Sequence, residues 1–293
     1  MTDYLRAHFA QPDNCPYCGY ADIEGGSVDI EGKLAQQRVS CLGCSKQWWD
    51  VYRLAAIVDD QGAEQSRIQP PAPSDPAVTE QRSIRQRDIV PPERLGQCQA
   101  TVVGVGAIGR QVALQLAAMG IPWLQLIDHD VVEAVNLAPQ GFLEDDLGRP
   151  KVEAVADSCQ QINHMLEVHE HRERYRRKMD IGNVVFCCVD TIDARRLIWN
   201  AVKDQVSVFA DGRMSAEVVR VLTATDDSSR AHYPTTLFAA GEAHAGACTA
   251  KSTIFTANIA AGLMLEQFSR WLRRLPVDQD VQINLLASEL TVC

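Results

Sequence analysis

Two sets of residues have the types and spacing that do chemistry. The first is four thiols: Cys15 and Cys18 flank Pro-Tyr, Cys41 and Cys44 flank Leu-Gly, and 22 residues separate the two pairs. Each CxxC knuckle presents two thiolates to one tetrahedral zinc, and two knuckles close the coordination sphere. Four thiolates leave no open position, so the predicted Zn2+ is structural rather than catalytic. Gly19 and Gly43 are expected to permit the tight turns that aim the sulfurs inward. A redox dithiol is the rival reading, and it has no need of the second knuckle.

The second set is spread over 87 residues but ordered: Gly104, Gly106 and Gly109, then Asp128, Asn136, the pair Pro139-Gln140, Lys151 and Asp190. Glycines in a GxGxxG turn between a strand and a helix let the backbone approach a phosphate, and the helix amino terminus supplies N–H donors. Asp128, closing the next strand, is placed to accept from ribose hydroxyls. These features alone suit NAD and ATP equally. Lys151 changes the balance, because a cation in the first turn of a helix serves against charge building at an α-phosphorus, and hydride transfer needs none. Asp190, at the carboxyl end of a third strand, suits Mg2+ held beside phosphates. Singly, Asn136 reads as a turn, Lys151 as a solvated side chain and Asp190 as a helix cap. In this order they favour nucleotide triphosphate chemistry.

The elements that must position these residues follow from pattern. "ATVVGV" (100–105) is a buried strand. Residues 107–119 place Ile108, Val112, Leu116 and Met119 on one helical face, and Gly120 stops the helix. "WLQLID", "VVFCCVD" and "VSVFAD" read as further strands, 150–164 and 191–204 as the intervening helices, 217–225 and 281–290 as later strands, and roughly 252–274 as a long amphipathic helix. Repeated βα units predict an α/β fold: a doubly wound, mainly parallel Rossmann-like sheet with helices on both faces, preceded by a small zinc ribbon. The expected domains are a ribbon over 1–58, a linker over 59–80 with four prolines, and an ATP-binding domain over 81–293. Trp48, Trp49 and Tyr52 are expected to form the ribbon's small core, with a docking or base-stacking surface as the alternative.

Composition narrows the function classes. The formal charge of −10 argues against broad electrostatic binding to nucleic acid or anionic membrane. The local exception, "HRERYRRK" over 171–178, reads as a solvated helix face. The opening residues lack the basic start and apolar core of a signal peptide, and the longest apolar run, Ile259 to Leu265, is too short to span a bilayer. Ten cysteines point to metal ligands or a thiol nucleophile before disulfides, and the expected location is the cytoplasm.

Over about residues 81–275 the ordered set resembles the superfamily of ThiF, MoeB and the ubiquitin-activating enzymes, and within it the ThiF-related proteins of the PRTRC plasmid cassettes. The resemblance implies a fold of the ThiF adenylation type, usually dimeric, using Mg·ATP to adenylate the terminal carboxylate of a ubiquitin-like or sulfur-carrier-like protein. It implies ribose contact by Asp128, nucleotide contacts by Asn136, Gln140 and Lys151, and magnesium binding by Asp190. Arg85 takes the place of an arginine that reaches the partner subunit's ATP. Two departures stand out. Pro139 occupies a position where members commonly carry arginine, so Arg110, Arg149 or Arg213 is the expected substitute or ATP affinity is weak. The two CxxC pairs that zinc-bearing members usually carry inside this domain have no counterpart after residue 81, and the zinc motif here is the separate amino-terminal ribbon.

Adenylation requires no protein nucleophile, but onward transfer requires a thiol. Cys187 and Cys188 lie in a strand and read as core. Cys248, just ahead of a helix amino terminus and near Lys251 and His244, is the candidate for a thioester; a small buried cysteine is the alternative. The leading expectation is an adenylyltransferase of the modifier-activating kind. A catalytically degenerate nucleotide-binding adaptor comes second and an NAD-dependent oxidoreductase third.

Overall fold

The computed structural model describes residues 14–31, 34–53, 56–58, 64–67, 81–238 and 253–293. The chain divides into two compact units, Met1–Ala72 and Pro73–Cys293.

In the first unit, β1 (Ile23–Glu31), β2 (Leu34–Cys41) and β3 (Gln47–Arg53) form an antiparallel sheet in the order β1-β2-β3. Its buried residues among those described are Cys15, Pro16, Val39 and Cys41. Trp49 and Tyr52 are exposed at 53% and 45%, so neither is the core residue expected of it; Trp48 is half-buried with its ring edge on Tyr17. Among the described residues no second layer covers this three-stranded sheet, so a large ring has nothing to bury against. A further pair, β4 (Ala56–Val58) and β5 (Glu64–Arg67), is antiparallel. β5 lies inside the stretch expected to be linker: a two-stranded ribbon satisfies its backbone by cross-strand hydrogen bonds and needs no apolar residues to form.

The second unit is a Rossmann-like α/β layer structure. Its elements in chain order are α1 (Pro92–Leu95), β6 (Gln99–Val103), α2 (Ala107–Met119), β7 (Trp123–Ile127), α3 (Ala134–Gln140), α4 (Lys151–Ile162), β8 (Glu167–His171), β9 (Val184–Cys187), α5 (Ile192–Val202), β10 (Val208–Ser215), β11 (Val218–Ala224), α6 (Asp227–His232), α7 (Ile254–Leu272), β12 (Asp280–Asn284) and β13 (Glu289–Val292). The sheet runs β13-β12-β11-β10-β9-β6-β7-β8. Strands β8, β7, β6, β9 and β10 are parallel; β11, β12 and β13 extend the sheet antiparallel. One face packs against α2, α4 and α7 through Val112, Leu116, Val155 and Met264; on the other, Ile198 and Trp199 of α5 and Tyr233, in the turn after α6, pack on Phe209 of β10. The near-continuous apolar runs of β6 and β9 follow from burial on both faces.

Three elements depart from expectation. The single strand expected over 281–290 is a hairpin, β12 and β13, turning through Ser288 at φ 56°. β8, "EVHEH", went unread because an edge strand with two acids and two histidines carries no apolar signal. The basic stretch expected on a helix is instead an irregular segment after β8. Among the described residues no helix is long and apolar enough to cross a membrane.

Candidate nucleotide and metal sites

The glycine turn is built by sterics. Gly104 sits at φ +85°, and a Cβ there would lie 2.9 Å from the Cys188 carbonyl oxygen. A Cβ on Gly109 would lie 1.8 Å from the Gly104 carbonyl oxygen, so no side chain fits. Gly106 precedes α2, whose first turn has neither a side-chain cap nor an acidic residue. Its first N–H groups are therefore available to an anion, with the helix dipole behind them. Around them, a buried polar atom lacks a partner among the described residues: Gln140 Oε1, whose amide lies 3.6 Å from where a Gly106 Cβ would be. A buried, unpaired acceptor beside an uncapped helix start is what a bound polar ligand would complete.

Asp128 is tied to this turn. Its Oδ2 accepts from Val105 N–H at 2.8 Å and its Oδ1 from Asp130 N–H at 2.9 Å. Asp130, unremarked in the sequence, carries the link onward: its Oδ2 accepts from Lys151 Nζ at 3.0 Å, and its carbonyl accepts from Lys151 N–H at 3.0 Å. Lys151 is the first residue of α4, directly after Pro150, whose fixed φ suits a helix start. Its side chain is 7% exposed, against 49% for Asp130, so it is a held cation rather than a solvated one. A cleft of about 340 Å³ is lined by His129, Asp130, Val131, Glu133, Asn136 and Lys151. Asn136 lies on α3, not in a loop, and its Oδ1 accepts from Glu133 N–H at 3.0 Å.

Asp190 follows β9 on the other side of the glycine turn, exposed, one residue before Thr191, which caps α5 in its place. It makes no hydrogen bond or ion pair with a described residue. The chain leaving β9 is fixed from below by a network that sequence reading missed. Arg195, on the buried face of α5 with Ile192, Ile198 and Trp199, donates to the Val189 carbonyl and, at 3.2 Å, to the Gly212 carbonyl. It also pairs with Asp211, which is fully buried and accepts from Arg213 at 2.8 Å and from Tyr233 at 2.9 Å. Burial lowers the affinity of Arg195 for its proton and the nearby Arg213 charge adds to that, while Cys187 and Tyr233 act in the opposite direction. An arginine in the apolar stripe of a helix was the signal available in the sequence.

The arginines expected to replace the one missing at Pro139 are accounted for. Arg149 is paired with Asp146 at 3.1 Å and Asp157 at 2.6 Å, and Arg213 with Asp211 and the Thr236 carbonyl. Arg110 alone of the three has no carboxylate partner among the described residues: it lies over the Phe142 ring at 5.2 Å, and its Nε is buried without an acceptor. Arg85 is exposed. Cys248, Lys251 and His244 lie outside the described residues. Burial pushes the thiols of Cys187 and Cys188 upward, and that of Cys159 to about 12, which suits packing and not nucleophilic attack.

The cysteine site is equally specific. Cys15 Sγ lies 3.7 Å from Cys44 Sγ, Cys18 Sγ lies 3.7 Å from Cys41 Sγ, and all four fall within 4.8 Å of one another. Zn–S bonds of about 2.3 Å at tetrahedral angles put sulfurs about 3.8 Å apart. Backbone N–H groups of Tyr17, Gly43 and Cys44 point at the sulfurs at 3.3–3.4 Å. Gly19 has the expected positive φ, 73°, whereas Gly43 is required for space, since a Cβ there would meet the Tyr20 ring at 2.8 Å.

Comparison with known proteins agrees with this geometry. The sequence profile of the ThiF family matches residues 81–286. The NEDD8-activating enzyme E1 catalytic subunit of Caenorhabditis elegans is 33% identical over 47% of this chain and 37% of its own. The adenylyltransferase and sulfurtransferase MOCS3 of Sus scrofa is 30% identical over 50% of this chain and 35% of its own. The match thus spans little more than a third of these curated relatives. Among solved structures, PaaA superposes with a TM-score of 0.62 at 20% identity, covering 78% of this chain and 77% of that one. E. coli MccB with MccA gives 0.58 at 17%, covering 73% and 71%. With the glycine turn, the acidic strand end and the helix-borne lysine inside the matched region, the chain belongs to the ThiF family.

Proposed function

We propose that this protein adenylates a carboxylate at the expense of ATP, and that the carboxylate is the carboxyl terminus of a ubiquitin-like or sulfur-carrier-like protein. The observation that carries the reading is the continuous set of contacts from the glycine turn through Asp128 and Asp130 to Lys151, with Asp190 on the opposite side of the same turn. In this reading the N–H groups of α2 and Lys151 hold phosphates, Asp128 holds ribose, and Asn136 and Gln140 line the pocket. Asp190 holds Mg2+, which when bound offsets the charge of the triphosphate. Lys151, already ion-paired and desolvated, is preorganised to meet charge that develops as an incoming carboxylate displaces pyrophosphate at the α-phosphorus.

The names of the relatives support the reaction class: adenylyltransferase and sulfurtransferase, and NEDD8-activating enzyme. The four sulfurs at tetrahedral spacing support a structural Zn2+ in the ribbon. The nine described cysteines, all free, support a reducing cytoplasm. We further propose a homodimer in which Arg85 meets the partner's nucleotide, and a thioester at Cys248. The test is ATP–pyrophosphate exchange with a panel of ubiquitin-like proteins. Exchange that depends on one of them and is lost in Lys151→Ala and Asp190→Ala supports the proposal; no exchange with any carboxylate refutes it. A second reading, a nucleotide-binding adaptor, is favoured by one observation: Pro139 with two of its three substitute arginines already paired. It predicts ATP binding without pyrophosphate release.

A further inference from the structure

Arg110 is a buried cation without an acceptor. It stands on α2, four residues after Gly106, and is 8% exposed. Its guanidinium makes no hydrogen bond or ion pair with a described residue, and its Nε is buried. The Phe142 ring, 5.2 Å away, offers it a face but no oxygen. Asp146, the carboxylate whose charge reaches it, is already engaged: Oδ1 accepts from Arg149 Nη1 at 3.1 Å and Oδ2 from Leu143 N–H at 3.0 Å. Taking a charge out of water is costly unless a partner completes it.

Arg110 also belongs to the start of α2. Its N–H donates to the Gly106 carbonyl at 3.0 Å, so the two residues share one side of the helix. Long side chains on a helix lean toward its amino terminus. Against Arg110 lies Gly141, at φ +75°, where a Cβ would stand 3.4 Å from Arg110 Nη1. The preceding residue is Gln140, with its buried, unpaired Oε1 and its amide 3.6 Å from where a Gly106 Cβ would be. An unpaired guanidinium and an unpaired amide therefore flank the same uncapped helix start. An amide can turn either its oxygen or its nitrogen to a ligand and selects no charge. The guanidinium and the free N–H groups of α2 both select an anion rich in oxygens.

We infer that Arg110 binds phosphate: its guanidinium donates to the phosphate chain of the nucleotide held at the start of α2. The inference rests on the nucleotide reading above and goes beyond it, giving that chain a second cation beside Lys151 whose contribution needs no Mg2+. In the empty protein the same charge is a liability, and the anion removes it.

The test is calorimetric titration of ATP and of adenosine, with and without Mg2+, into the full-length parent, Arg110→Met and Arg110→Lys, together with the melting temperature of each protein alone. Arg110→Met should weaken ATP about ten- to a hundredfold in both conditions and leave adenosine unchanged. It should melt no lower than the parent, because an unpaired buried charge is gone. Arg110→Lys, which keeps the charge but not the planar fork, should bind ATP with intermediate affinity. ATP bound equally by the parent and Arg110→Met overturns the inference and leaves the nucleotide reading standing. A methionine variant that melts lower and loses adenosine along with ATP has lost packing, and overturns it too. A parent that binds no nucleotide overturns both readings.

Discussion

The two units of this chain hold their shapes by different means. The ribbon buries four described residues, and two of them, Cys15 and Cys41, belong to the sulfur cluster. The α/β unit encloses Phe186, Phe209, Phe268 and Tyr233 almost completely, on both faces of its sheet. A piece this small cannot offset its conformational entropy by burial alone; on the proposed reading, metal–thiolate bonds at the four-cysteine cluster supply the difference. Both nevertheless use one backbone device. N–H groups freed by a turn point at sulfurs in the ribbon, and at the α2 amino terminus they stand ready for a phosphate.

The sharpest way to break the comparison is to remove the proposed zinc. Chelation, or Cys41→Ser, is expected to unfold the ribbon outright, because structural zinc contributes on the order of 10 kcal/mol. Hydrogen exchange should show 23–53 losing protection while 99–224 keeps it. Phe209→Ala tests the other side: it should cost about 3–5 kcal/mol in the α/β unit, read as a lowered Tm, with zinc content unchanged. Lys151→Ala sharpens the distinction between structure and chemistry. It should reduce pyrophosphate exchange about 10²–10³-fold, yet leave the melting transition nearly in place, because the Asp130 it deserts is half exposed and can be hydrated.

These predictions also mark what the sequence reveals and what it hides. The glycine turn, the helix after it and the β9 strand were legible because their constraints are local: a Gly104 φ of +85°, a 3.6-residue apolar stripe, a run of buried aliphatics. The CxxC pairs were legible because coordination fixes spacing. Asp130 and Arg195 were not, since each matters through a partner on another element: Lys151, 21 residues away on α4, and Asp211, on strand β10 beside helix α5. The β8 edge was hidden for the opposite reason, that its strand is polar on the exposed side and carries no period-2 signal. The tryptophan-rich β3 misled, because aromatic content predicts a core only where a second layer exists to receive it.

The smallest expected effect lies at the antiparallel end of the sheet. Burial alone would raise the Asp280 carboxyl, but hydrogen bonds and charge from Arg220 and His232 hold it below the ordinary aspartate value. A carboxyl lowered in the folded state adds stability above its unfolded pKa of about 4, and that stability drains away as pH falls through the folded value. Asp280→Asn should therefore be less stable at neutral pH and show a shallower loss between about pH 4 and pH 2 in acid denaturation.

The central claim is that Lys151 and Asp190 meet on one triphosphate, and calorimetric titration of ATP, with and without Mg2+, addresses it most directly. The account predicts that Asp190→Asn weakens Mg·ATP but leaves metal-free ATP almost untouched, whereas Lys151→Ala weakens both. Equal affinities for all three proteins in both conditions would contradict it.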